Sequence, residues 1–365
     1  MNGEDAFKYM NELGKQREPF LFILDFDLTK PLVFPLKNIK NSAEILFDIN
    51  GQRNFTPLPE RIGISYLNST KSSKSIFFQK KPILYADYKA KFDFVLENLQ
   101  LGNSFLINLT QPTPIETNLS LSEIFHSCTA KYKLLVDTEK DKFVVFSPEP
   151  FVKIDAQGVI SSFPMKGTID AGIDNAEIKL MNDVKEQAEH ATIVDLIRND
   201  LSQVATKVRV ERYRFVERVK THDKELLQVS SKISGQLPSD YLENLGTIFQ
   251  KLLPAGSISG APKPKTVDII KNAEGYERGY YTGIVGVFDG KRLDSGVMIR
   301  FIEQNIAQNN NYTEGGLIFK SGCGITAMSD AESEYLEMID KVYVPIITRN
   351  AAHRQRSVAE CVRTQ

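Results

Sequence analysis

Two stretches of this sequence carry carboxylates at helical spacing. Near the end, Glu334, Glu337 and Lys341 fall at i, i+3 and i+7 and so share one helix face, while Tyr335, Ile339 and Val342 mark an apolar one. That face offers carboxylates to a cation, or it is a solvated stripe with Glu337 and Lys341 as an i,i+4 ion pair. Earlier, Glu189 and His190 precede Asp195, Arg198, Asn199 and Asp200, set among Ile193, Val194, Leu196 and Ile197. Polar groups this dense among apolar ones suggest a buried network, with capping and salt bridging near a helix C-terminus as the plainer alternative. Magnesium needs only one or two carboxylates beside waters and substrate oxygens, so one glutamate from each helix would suffice. Spacing alone does not establish that the two meet.

Phe163-Pro164-Met165-Lys166-Gly167-Thr168 sets a lysine between an apolar, strand-like stretch and a glycine turn. Partial desolvation there would lower its pKa and leave a neutral amine as nucleophile; an exposed loop lysine is the alternative. Glu149, in Ser147-Pro148-Glu149-Pro150-Phe151, is a general-acid candidate if buried and a turn residue otherwise. Gly322-Cys323-Gly324 reads either as a backbone nest for a carboxylate or as a tight turn between a strand and a helix. Cys323 is a small filler in this reading, because no histidine is placed in sequence to activate it. Residues 254–263 fail as a phosphate loop, since Ala261-Pro262 separates Gly260 from Lys263. Gly279, Gly283 and Gly286 do not form the dinucleotide fingerprint either.

The elements that must position these groups follow from periodicity and punctuation. Residues 20–36 predict strand, turn and strand, with Lys30-Pro31 in the bend; residues 68–74 form a Ser/Lys-rich loop. A helical period over 85–99 puts Phe92, Val95 and Leu99 on one face, and 104–109 and 143–146 are strand-like. Helices are expected over 185–204, over 241–253 up to Pro254, and between Pro262 and Gly275. Residues 280–288 and 293–302 flank Asp289-Gly290 as a hairpin, and Ser329-x-x-Glu332 opens a helix to about residue 344. Hairpins mixed with helices, without a regular βαβ rhythm, predict an α+β protein with antiparallel sheets.

Composition narrows the function classes. With 365 residues, 42% hydrophobic and 25% charged, the chain reads as soluble and globular. A net charge of −1 gives no reason to expect nucleic acid or an anionic membrane as partner. Cys128, Cys323 and Cys361 are far apart, which suits a reducing compartment without disulfides, and the four histidines do not cluster as a zinc site. The apolar run at 20–24 stops at Asp25, too short for a signal peptide or a membrane span, so the cytoplasm is expected.

The order of the blocks is more specific than any of them. From Gly102-Asn103-Ser104 through Lys341, the sequence resembles the chorismate-binding enzymes, which include anthranilate synthase, aminodeoxychorismate synthase component I, isochorismate synthase and salicylate synthase. The resemblance rests on Ser147-Pro148-Glu149, Pro164-Met165-Lys166-Gly167-Thr168, and Glu189-His190 followed by Asp195-Leu196-Ile197-Arg198-Asn199-Asp200. It continues through residues 254–263, Tyr280-Tyr281-Thr282-Gly283, Ile299-Arg300, and Gly322-Cys323-Gly324 on to Glu337 and Lys341. It implies two large antiparallel sheets stacked as a sandwich, helices outside and the site in a cleft between them. Residues 1–101 would form a shortened N-terminal part of the same fold, 102–348 the chorismate-binding region, and 349–365 a polar, disordered tail.

The resemblance also implies roles. Glu189 and Glu337 would hold Mg²⁺ with Glu334 beside them. Arg300, Lys341, Tyr281 and the amides of Gly322 and Gly324 would grip the carboxylates, with Thr168 and Ser257 also touching substrate. Glu149 would protonate the departing hydroxyl. Lys166 stands where anthranilate synthases usually carry alanine, which implies covalent catalysis and amination at ring carbon 4 to give 4-amino-4-deoxychorismate. Hydroxide is a poor leaving group, so a proton donor is needed, and a lysine adduct divides one hard substitution into two. Two other readings stay open: anthranilate synthase component I, and a chorismate-binding subunit without turnover. Where many relatives have a histidine, Gln228 stands, and it receives no role. The Leu-Leu-Glu-Ser block that binds feedback tryptophan is absent, and so is a glutaminase pattern. Ammonia is therefore expected from a separate glutamine amidotransferase subunit.

Overall fold

The computed structural model describes residues 1–57, 76–220, 225–305 and 315–345. The expected loop at 68–74, the tail after 349 and Cys361 lie outside them. The described residues form two nine-stranded sheets whose strand pairs are all antiparallel. The first runs Met165–Asp170, Glu225–Gln236, Val159–Ser162, Pro150–Ile154, Leu293–Val297, Ile284–Phe288, Phe20–Leu24 and Leu32–Pro35, with Thr206–Lys220 also paired to Glu225–Gln236. The second runs Gly260–Ala261, Leu106–Thr117, Leu317–Ile325, Phe301–Gln304, Lys142–Ser147, Tyr132–Asp137, Ile45–Ile49 and Gln52–Arg53, with Phe78–Lys80 also on Leu106–Thr117.

Alternation along Phe20–Leu24 shows how the layers stack. Leu21 and Ile23 pack between the sheets against Phe47, Leu134, Val136 and Val145. Phe20, Phe22 and Leu24 face the helices Gly3–Lys15 and Leu245–Leu252, where Phe22 and Phe249 meet edge to face at 4.7 Å. Both faces of this strand are therefore buried, which is why its apolar run is unbroken. On the outside of the second sheet, Ile107, Leu109 and Ile325 pack under Tyr88, Phe92 and Val95 of helix Tyr85–Gln100 and under Ile269 and Ile270 of helix Lys263–Glu274.

Several boundaries differ from expectation. The polar start forms helix Gly3–Lys15, capped by Asn2 and anchored by Phe7, Met10 and Leu13. The expected 241–253 helix begins as a 3₁₀ turn, Tyr241–Asn244, before Leu245–Leu252. The last helix is Ala331–Asp340, and its cap is Asp330, which accepts the Ser333 N–H, rather than a Ser329 capping box. The expected 293–302 strand breaks after Val297, and the chain crosses to the second sheet as Phe301–Gln304. Arg300, with φ +52°, sits at that crossing.

Candidate active site

A second crossing runs beside the first. Strand Lys142–Ser147 belongs to the second sheet and Pro150–Ile154 to the first, so Glu149 stands on the link between them. Phe146 N–H donates to the Arg300 carbonyl and Val297 N–H to the Glu149 carbonyl, each at 3.1 Å. Backbone hydrogen bonds thus hold the two site residues at one seam. A cavity of about 280 Å³ opens there, lined by Glu149, Lys166, Thr168, Ser257, Tyr281, Arg300, Gly322, Gly324, Glu337 and Lys341 among others. Of the residues to which the resemblance gives a site role, Glu189 and Glu334 are outside this lining.

Those two lie at its floor. Asp183 caps helix Val184–Ser202 by accepting the Glu186 N–H, and the helix brings Glu189 to 3.0 Å from the Lys166 ammonium. Lys185 reaches across to Glu334 at 3.5 Å, so the two acidic helices do meet. Four carboxylates surround these two lysines: Glu189, Glu186 and Glu337 act on Lys166, and Glu334, Glu189 and Glu186 on Lys185. Glu186 is missing from the sequence reading, although its i, i+3 spacing to Glu189 was a usable signal. Burial and the Glu189 charge push its carboxyl above the usual range, and its buried Oε2 has no hydrogen-bond partner. Burial and Glu337 likewise push Glu334 up. An orphaned carboxylate oxygen among like charges, all hard donors, fits a hard divalent cation such as Mg²⁺. The Cys323 sulfur comes within 4.8 Å of Glu334 and Glu337 oxygens. Burial pushes that thiol up to about 12, so it is no ready ligand.

Lys166 lies within strand Met165–Asp170, not before a turn. Gly167, with φ +75°, makes a bulge where the register shifts between Lys166 and Thr168, and a side chain there would press on Leu180 and Glu186. The expected depressed pKa is not what the fold produces. Burial works against the ammonium, but Glu189, helped by Glu186 and Glu337, holds the Lys166 pKa above its usual value. Glu149 behaves as a general acid requires: burial pushes its carboxyl up, against a 2.7 Å hydrogen bond from Ser257 and the cations Lys166, Arg300 and Lys341.

Gly322 and Gly324 are neither in a nest nor in a turn. Both lie within strand Leu317–Ile325, opposite Thr110 and Asn108. Phe301–Gln304 pairs with this strand only as far as Lys320, so one edge is open from Ser321 onward. Thr110 N–H goes to Glu274 and Asn108 N–H to the Ser259 carbonyl, both away from the strand. The alternation of an antiparallel pair then points the Gly322 and Gly324 amides outward from the open edge, into the cavity side. A β-carbon at Gly322 would stand 2.5 Å from the Leu109 carbonyl, and one at Gly324 3.5 Å from the Lys166 Nζ. Lys341 donates to the Gly322 carbonyl at 2.9 Å and pairs with Glu337 at 2.8 Å. Burial raises the Glu337 carboxyl, but Lys341 and Lys166 overcome it and hold the pKa low. The Arg300 Nε is buried without a partner, a donor available to an anion.

The earlier helix proves mixed. Asp195 and Arg198 form an exposed pair, whereas His190 is buried at 2.7 Å from the Ser231 hydroxyl and Asp200 is buried against Lys263 at 2.9 Å. Gln228 lines the cavity opposite Thr168.

Comparison with known proteins bears on what such a cavity holds. Residues 48–346 match the family described as chorismate binding enzyme. The chain is 47% identical over 336 residues to an uncharacterised PabA-like protein of Haemophilus influenzae, covering 92% of this chain and 95% of that one. A PabA-like protein of Pasteurella multocida is 48% identical over 339 residues, with 92% and 97% covered. A probable chloroplastic aminodeoxychorismate synthase of rice is 35% identical over 208 residues, 54% of this chain and 22% of that one. Among solved structures, the putative 2,3-dihydroxybenzoate-specific isochorismate synthase of Bacillus anthracis superposes with a TM-score of 0.65 at 18% identity, covering 93% and 87% of the two chains. Anthranilate synthase component I of Streptococcus pneumoniae gives 0.62 at 19% identity, covering 88% of each.

Proposed function

This chain belongs to the chorismate-binding enzymes, and within that family we propose that it is an aminodeoxychorismate synthase component I, replacing the 4-hydroxyl of chorismate by an amino group. The observation that carries this reading is Lys166, which enters the cavity between Glu189 and the open edge at Gly324. A cation held by Glu189 and Glu337, with Glu334 and Glu186 beside them, would orient the ring carboxylate and draw electron density from the ring. A cation on those glutamates would offset the charges that keep Lys166 protonated, and burial would then favour the neutral amine once its proton has passed to water. The amine attacks ring carbon 2, the double bonds shift, and the 4-hydroxyl leaves as water with the Glu149 proton. Ammonia then attacks carbon 4, the shift reverses, the lysine leaves as its amine, and the new carbon-4 ammonium returns a proton to Glu149. Arg300, Lys341, Tyr281 and the two glycine amides hold the carboxylates throughout.

Ammonia in this reading comes from a separate glutamine amidotransferase. Burial pushes the thiols of Cys128 and Cys323 up to about 11 and about 12, so neither is poised as a glutaminase nucleophile. Among the described residues no helix is long and apolar enough to cross a membrane. The test is the product formed from chorismate, Mg²⁺ and ammonium, identified by mass. Aminodeoxychorismate is expected; anthranilate with pyruvate would install anthranilate synthase component I instead, and no turnover would leave a binding subunit.

A further inference from the structure

The cavity extends beyond the groups used above. Helix Val184–Ser202 runs along it and presents Ile193, Ile197 and Asp200 to the interior. At 1.5 Å per residue, about 16 Å of helix separates Glu189 at the floor from Asp200 at the far end. That end is apolar, lined by Leu252 and Ala255 as well as the two isoleucines, and Asp200 brings it a carboxylate. Asp200 is buried and paired to Lys263, which also donates to the Leu252 carbonyl at 2.7 Å. A β-carbon on Gly256 would stand 3.1 Å from its Oδ2, and the next residue, Ser257, donates to Glu149. Asp200 is thus linked through Gly256 and Ser257 to the acid that would act at the 4-hydroxyl.

Resting on the amination reading, we propose that Asp200 is the receiving station for the nitrogen nucleophile: its carboxylate binds ammonium at the apolar end of the cavity and delivers ammonia toward the ring carbon beside Glu149. In the proton transfer one N–H bond of ammonium breaks, its electron pair stays on nitrogen, and an O–H bond forms on Asp200. Burial pushes the Asp200 carboxyl up against the pull of Lys263, so it takes a proton more readily than a surface aspartate. Neutral ammonia then crosses the stretch walled by Ile193 and Ile197, where a cation would be poorly solvated. Lys263 acts as a positioning residue.

The test is steady-state kinetics of the full chain with chorismate and Mg²⁺, varying ammonium chloride. Asp200→Asn should raise the KM for ammonium at least about tenfold, the loss of a charge-assisted hydrogen bond, while the KM for chorismate stays within about twofold. An unchanged ammonium KM, or an equal rise for both substrates with a lower melting temperature, would show a structural ion pair and overturn the proposal. If Asp200→Asn does not fold, Ile197→Phe, which narrows the apolar stretch, decides: it must lower kcat/KM for ammonium alone, and an equal fall for both substrates overturns the idea. Anthranilate as the wild-type product would remove the aminodeoxychorismate reading and leave this comparison intact. The absence of any ammonium-dependent product would end both.

Discussion

At the floor of the cavity two lysines, Lys166 and Lys185, face four glutamates, whereas the wall above is made of two chain crossings and an open strand edge. The floor is set by side chains whose charges satisfy one another incompletely, as the unpartnered oxygen of Glu186 shows. The wall is set by backbone: paired hydrogen bonds at the seam, a left-handed Arg300, and a glycine too close to Leu109 for any side chain. Charge on the floor can therefore be altered while the fold persists, and shape on the wall cannot. Substitutions at the floor should cost activity far more than stability; those at the wall should cost both together.

Lys166→Ala is the severest test of the floor. A positioned intramolecular amine reaches effective concentrations on the order of 10⁵ M, so aminodeoxychorismate formation should fall by about 10³-fold or more, with the melting temperature in Mg²⁺ little changed. Denaturing mass spectrometry of wild type quenched with chorismate and no ammonia should show the adduct. Wild-type turnover in the variant, together with no adduct, would remove the lysine from the chemistry.

Glu337→Gln should come next. The change is nearly isosteric but removes a charge, and it frees Lys341 from its 2.8 Å pair. Apparent Mg²⁺ affinity should weaken by about 10–100-fold, a range seen when metal-site partners are lost, with the far-ultraviolet dichroism unchanged. An unaltered Mg²⁺ requirement would return this glutamate to the solvated-stripe reading.

Gly322→Ala probes the wall, with a smaller effect on rate. Its β-carbon would meet the Leu109 carbonyl and the Thr110 methyl at 2.5 and 2.6 Å, so the two strands must part. Overpacking of this kind costs about 1–3 kcal/mol, and the KM for chorismate should rise alongside the fall in melting temperature. A higher KM at unchanged stability would show a wall more pliable than its backbone suggests.

Local signals foretold much of this and long-range ones did not. Helical spacing puts Glu334 and Glu337 on one face of Ala331–Asp340, and Pro262 and Gly275 bound the separate helix Lys263–Glu274, because each signal depends on neighbours within a turn or two. Gly322 and Gly324 looked like a nest or a turn because Gly-x-Gly signals one locally. Their place within a strand is decided by pairing with Leu106–Thr117, some two hundred residues earlier in the chain. The two crossings between sheets were equally hidden, since nothing near Arg300 or Glu149 says which sheet comes next. The direction of the Lys166 pKa is hidden for the same reason: burial can be read from its flanks, but the opposing Glu189 lies on another element.

The smallest effect separates the charged floor from the support beneath it. His190 follows Glu189 on the same helix but turns away, its Nε2 at the Ser231 hydroxyl, which also accepts the Arg214 N–H at 2.9 Å. Burial first, then the Arg214 and Lys166 cations, push its pKa from 6.5 down to about 4, so the ring is neutral in the fold. Between these two values the unfolded chain binds a proton that the native protein refuses, so stability rises with pH in that window. The contribution is fully present above pH 6.5 and lost as pH falls toward 4, and it amounts to about 3 kcal/mol at most. The raised carboxyls of Glu149, Glu186, Glu334 and Asp200 titrate with the opposite sign, but they are common to wild type and variant. Urea midpoints between pH 7 and 5 should therefore fall more steeply for wild type than for His190→Gln. Equal slopes would mean that the ring takes up its proton inside the fold, and that the support under the floor is as electrostatically open as the floor itself.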